Sequence, residues 1–186
     1  MAVTVLDPKT ALLVIDMQKA IVSLPTVHPV DQVIQRASEL TSAFRKRSLP
    51  VVLVCVAGFP PGRTDGGRSQ LQFSDGGTDF VPDLNQQPQD HTIMKRQWGA
   101  FTNTDLEAYL RQHEVTQVVI AGIATSIGVE STARQAYELG FNVTLAIDAM
   151  SDRNLDAHFN STTRIFPRLG ESGTTAQIIN LLRPNA

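Results

Sequence analysis

Apolar residues in this chain follow two rhythms. Short unbroken runs, the mark of strands covered on both faces, occupy Thr10–Ile15, Pro50–Val56, Thr116–Ala121 and Phe141–Ile147, with a shorter one at His91–Met94. Between them the spacing becomes helical. Val30, Val33, Ile34, Ala37, Leu40 and Phe44 share one face. Pro29 sits at the first helical position, and Arg45, Lys46 and Arg47 suit the dipole at the far end. Thr104 and Glu107 read as a capping box before Leu106, Tyr109 and Leu110. Ala133, Ala136, Tyr137 and Leu139 continue a helix that Gly140 stops. Leu155, Phe159, Thr162 and Phe166 mark another from about Asn154, and Gly173-Thr174-Thr175 leads into a closing helix with Ile178, Ile179, Leu181 and Leu182. Alternation of this kind predicts the α/β class: three α/β/α layers around a mainly parallel, Rossmann-like sheet of about six strands.

Gly58–Asp90 breaks both rhythms. It holds six of the 12 glycines and four of the 10 prolines, so it reads as a long loop rather than a hidden element. Long loops in compact domains are usually functional. This one is expected to cover a site and set substrate choice, with Arg63 and Arg68 as candidate contacts for an anion. The 186 residues fit a single domain, 1–186. A net charge of −2 without a basic run argues against nucleic acid, and no apolar stretch is long enough to span a membrane. One cysteine, Cys55, excludes an internal disulfide framework, and the N-terminus lacks a signal-peptide pattern. A cytoplasmic location is the expectation. Cys55 lies inside an apolar run and reads as a core thiol.

Three features carry chemistry. Asp16 follows the first strand, Lys95 ends the third, and the turn Gly122–Gly128 follows the fourth. In an open α/β sheet these strand ends share one edge, where ligands bind. An ammonium beside a carboxylate favours its charged form, and the N–H groups of a strand-to-helix turn hold negative charge. His158 reads as a surface or packing histidine. No Gly-x-Gly-x-x-Gly follows the first strand, so a nucleotide-binding reading is weak.

These residues carry a resemblance. Leu13-Val14-Ile15-Asp16-Met17-Gln18, Lys95 with Ala100-Phe101 and Thr104-Asp105-Leu106, and Gly122-Ile123-Ala124-Thr125 with Glu130-Ser131-Thr132-Ala133 resemble the isochorismatase-like hydrolases, also called cysteine hydrolases. The resemblance implies a catalytic Asp and Lys at Asp16 and Lys95, and a nucleophilic Cys at position 128, where this chain has Gly128. A glycine forms no acyl-enzyme. True isochorismatases also carry Gly there and hydrolyse a vinyl ether with water as nucleophile. By analogy Asp16 is the general acid and Lys95 steadies charge. The N–H groups of Ala124 and Gly128 hold an oxygen; Gln18, Trp98 and Ser126 are further candidate substrate-binding positions. The resemblance also implies a non-proline cis peptide at Ile123–Ala124 and a homo-oligomer. The nicotinamidase metal site finds no match, since no histidine lies between His28 and His91.

Two classes of function stay open. The first is a hydrolase without cofactor or metal, acting on a small organic molecule through Asp16 and Lys95, with Ser126 and Ser131 near in sequence as candidate substitute nucleophiles. The second is a non-catalytic homologue that keeps the pocket for small-molecule binding or regulation.

Overall fold

The computed structural model describes residues 3–65, 67, 73 and 75–182; Arg68 lies outside them. Six parallel strands form one sheet: β1 (Thr10–Ile15), β2 (Val51–Val56), β3 (His91–Lys95), β4 (Gln117–Ile123), β5 (Asn142–Ser151) and β6 (Glu171–Gly173), in the order β3-β2-β1-β4-β5-β6. The chain starts in the middle, winds outward to β3, then returns to β4 on the other side of β1. The order in which strands are added therefore reverses between β1 and β4, while the strands stay parallel. At such a switch point the connections leave to opposite faces and open a crevice at the carboxyl ends of the strands.

Every residue of β1, β2 and β4 is buried, which explains their unbroken apolar runs. Alternate residues feed two cores. Ala11, Leu13 and Ile15 face α3 (Leu106–Gln112) and α4 (Glu130–Glu138), which contribute Leu106, Leu110, Ala133 and Ala136. Leu12 and Val14 face α2 (Val30–Lys46) and α6 (Thr175–Leu181), which contribute Val33, Ala37, Leu40, Phe44 and Ile178. The result is the expected three layers.

Several local expectations need correction. Pro29 precedes α2 as its N-cap rather than opening it. Thr104 makes no capping box: its hydroxyl donates to the Ala100 carbonyl at 2.6 Å, and α3 begins only at Leu106. The reciprocal box forms instead between Thr174 and Gln177 at the start of α6. β5 runs beyond Ile147 to Ser151 because the pairing with β4 jumps register, from Ile120↔Leu145 to Gly122↔Met150. Asp148 does not end the strand; its carboxylate accepts from the N–H and hydroxyl of Thr175 and ties β5 to α6. The helix from Asn154 is shorter than its apolar spacing implies: α5 spans Leu155–Asn160, then loosens into a π-helical turn at Ser161–Ile165. A short α1 (Lys19–Val22) was not signalled.

The later part of the Gly58–Asp90 loop is docked on the body. Val81 N–H donates to Met17 O and Lys19 N–H to Asp79 O. Leu84 is buried, and the Arg45 guanidinium grips the Asp90 carboxylate with two hydrogen bonds, of 3.0 and 2.6 Å. Arg63 is exposed.

Candidate functional site

Asp16 is the first residue past β1. Its φ is +52°, a left-handed conformation that Asp tolerates better than most residues. Its N–H is anchored on Val54 O at 2.8 Å. The turn swings the carboxylate under the carboxyl end of the sheet, where Lys95 arrives from the end of β3. Lys95 Nζ donates to Asp16 Oδ2 at 2.6 Å and lies 3.3 Å from Gln97 O. Both side chains are buried, with Asp16 5% and Lys95 2% exposed. Desolvation by burial pushes the Asp16 carboxyl up to about 6; the neighbouring Lys95 ammonium only partly offsets it. Asp16 Oδ1 is buried and makes no hydrogen bond among the described residues.

The third part of the constellation comes from β4. Gly122 passes so close to Ile15 that a side chain would collide with its backbone. The Ile123–Ala124 peptide is cis. Thr125–Val129 then forms a π-helical turn that runs into α4. A Cβ at Gly128 would stand 2.9 Å from Asp16 Oδ2 and 3.6 Å from Lys95 Nζ. Gly128, Asp16 and Lys95 therefore converge on one point, as expected from three separate strand ends. Thr132, fully buried on the first turn of α4, donates to Gly128 O and accepts from Ala100 N–H, bracing the turn against the segment after Lys95.

Residues 10–177 match the isochorismatase domain. The chain belongs to the isochorismatase family. It is 40% identical over 188 residues to the uncharacterized isochorismatase family protein YwoC of Bacillus subtilis, covering 94% of this chain and 95% of that one. It is also similar to the structure of an isochorismatase family protein from Burkholderia thailandensis, with TM-score 0.92 and 42% identity over 96% of this chain and 97% of the other. A more distant relative is the ureidoacrylate amidohydrolase RutB of Pseudomonas syringae, 29% identical over 74% of this chain and 69% of its own.

The other candidate positions of this isochorismatase-family site divide. Gln18 is fully buried, and its carboxamide is taken up by backbone: it donates to Val56 O and Gly77 O and accepts from Val56 N–H. Both amide hydrogens are thus spent on joining β2 to the docked loop. Trp98, on the segment that follows β3, is 53% exposed and presents a free aromatic surface. Ser126 donates its N–H to Asp152 Oδ2 at 2.7 Å. Ile127 and Val129 turn theirs back on Ala124 O. Ser131 lies within α4. Cys55 is buried as expected; burial raises its thiol, and the Asp16 charge adds to the effect. Among the described residues no three His, Cys, Asp or Glu side chains converge closely enough to hold a metal ion.

His158 is a packing histidine rather than a surface one, its ring against that of His28. It is 6% exposed, and its Nδ1 lies 2.9 Å from the Thr125 hydroxyl. Neither it nor Asp152 was a candidate, because each sits beyond β5, far in sequence from the three motifs. The Asn154 side chain accepts from Ala157 N–H and caps α5, a signal for where the helix starts but not for where it lies.

Proposed function

We propose that this chain hydrolyses a small organic molecule by acid catalysis, with Asp16 as general acid and water rather than a side chain as nucleophile. A vinyl ether or related C–O or C–N bond fits best. The observation that supports this is the asymmetry of Asp16. Oδ2 is occupied by Lys95, whereas the buried Oδ1 has no hydrogen-bond partner among the described residues and is the oxygen able to carry and deliver a proton. A carboxyl pushed up to about 6 keeps its proton about two units further up the pH scale than an ordinary aspartate, the direction a general acid needs.

In the reaction, the alkene electron pair takes the proton from Asp16 Oδ1 and forms a new C–H bond. Positive charge develops at the ether-bearing carbon. Water adds there and loses a proton back to the Asp16 carboxylate; the resulting hemiketal then breaks its bond to the ether oxygen, its hydroxyl proton passing to that oxygen, to give a carbonyl compound and an alcohol. The Lys95 ammonium steadies the Asp16 carboxylate while it is charged. Gly128 stands where the resemblance puts a thiol, so position 128 offers no side chain to compete with water as nucleophile.

The similarity to RutB favours a second reading, amide hydrolysis. There Asp16 would act as a base. The two readings differ in the sign of their pH dependence. For the acid, kcat/KM is full below about pH 6 and falls as the proton leaves; for the base, it rises through the same value. Turnover on a panel of vinyl ethers, amides and carbamoyl compounds, followed from pH 4 to 8, separates them. We expect a vinyl ether to be cleaved with a falling basic limb near pH 6. Amide cleavage that rises with pH would overturn the acid reading.

A further inference from the structure

We propose that His158 and Asp152 are positioning residues, which latch the Thr125–Val129 turn and so hold Gly128 against Asp16 and Lys95. The inference rests on the reading of that turn as part of the site.

The latch has two attachments, both to the start of the turn. Thr125, fully buried, meets His158 Nδ1 through its hydroxyl. Ser126 N–H meets Asp152 Oδ2. Asp152 is itself fixed. Its Oδ1 accepts from the N–H groups of Arg153 and Asn154, and its carbonyl from Val27 N–H. Asn154 Oδ1 in turn accepts from Ala157 N–H, setting the first turn of α5 one residue before His158. On its other side His158 meets the edge of the His28 ring, 4.7 Å between centroids, and His28 Nδ1 lies 3.1 Å from Ser151 Oγ. Three chain segments thus converge on the two residues that precede Gly128 by three and two positions.

Core packing alone would not need this arrangement. Apolar side chains would fill the space without the cost of burying an imidazole, a carboxylate and a hydroxyl. Buried polar groups that satisfy one another fix a geometry. Burial holds the His158 imidazole below its ordinary pKa, the His28 ring adds to this, and the Asp152 charge opposes it. The neutral ring is the form the interior favours. The geometry being fixed matters at Gly128, where an added Cβ would stand 2.9 Å from Asp16 Oδ2 and 3.6 Å from Lys95 Nζ.

The test reads position 128 without requiring a substrate. In a Gly128→Cys background, the introduced thiol is alkylated with iodoacetamide across pH, with the wild-type chain correcting for Cys55. Thr125→Val removes the hydroxyl and keeps the shape, while Thr125→Ser keeps the hydroxyl. With Thr125→Val or His158→Phe we expect the thiol pKa to rise by about one unit, cutting the pH 7 alkylation rate about tenfold, and Thr125→Ser to retain the parent profile. Equal profiles for Val and Ser, or an unchanged profile with His158→Phe, would overturn the proposal. Should the cysteine or phenylalanine variant not fold, amide exchange in otherwise native chains decides: residues 126–129 exchange faster in Thr125→Val than in Thr125→Ser, and equal exchange rejects the latch. Failure of every substrate in the panel would remove the proposed reaction and leave these readouts intact.

Discussion

Asp16→Asn should lower kcat/KM by about 10²–10⁴-fold, the contribution of a well-placed general acid. The amide fills the same space but has no acidic proton to give, so the loss belongs to chemistry rather than shape. The variant also leaves Lys95, 2% exposed, without its 2.6 Å partner. An unpaired buried ammonium is destabilising, so a fall in melting temperature could be mistaken for the cause of lost turnover. Asp16→Asn combined with Lys95→Met removes both charges and separates the two effects: it should recover stability and stay inactive. A second signature comes from linkage. The folded carboxyl holds its proton up to about pH 6, against 3.8 for an ordinary aspartate, so between those limits the native chain binds more protons at Asp16 than the unfolded chain does. Its contribution to stability therefore falls as pH rises through that window, and Asp16→Asn should flatten that slope in denaturant melts at pH 4, 5 and 6. Full turnover by Asp16→Asn would reject its role as the acid.

Much of the frame was legible because burial on both faces leaves a strand nothing but apolar residues. Thr10–Ile15 is read to the residue on that ground. The same logic hides β6, whose three residues carry no apolar run and are recruited only by pairing with Thr144, Leu145 and Ala146 of β5. It also hides the extension of β5, where Asp148 looks like a terminator until Thr175 satisfies it. Asp16, Lys95 and the Gly122–Gly128 turn were legible because parallel strands bring all their carboxyl ends to one edge. Local sequence decides each of these residues; topology then adds them together. His158 and Asp152 follow no such rule. Their meaning depends on α5 starting beside the turn, and that depends on a register jump between β4 and β5 that no periodicity announces. Gln18 is the converse case, a motif residue whose carboxamide goes wholly to backbone.

Gly122→Ala should be the most damaging single-methyl change in this sheet. Gly122 pairs in register with Ile15, one residue before Asp16, and has φ +134°. Two costs coincide there. An L side chain at that φ strains the backbone by about 1–3 kcal/mol. The added Cβ would also press into the Ile15 carbonyl oxygen and lie 2.7 Å from its nitrogen, atoms that cannot rotate away as a side chain would. Overpacking of this kind costs about 1–3 kcal/mol more. A chain of this size loses about 2–4 °C per kcal/mol, so the melting temperature should drop on the order of 10 °C. Gly140→Ala is the control: φ is +82°, but its Cβ would meet nothing within 4 Å, so it bears the backbone term alone. The difference between the two melting temperatures then measures the close approach of β1 and β4 that sets Asp16 beside Gly128. Equal losses would mean that these strand ends separate freely, and that the pairing of Ile15 with Gly122 does not hold the two halves of the site together.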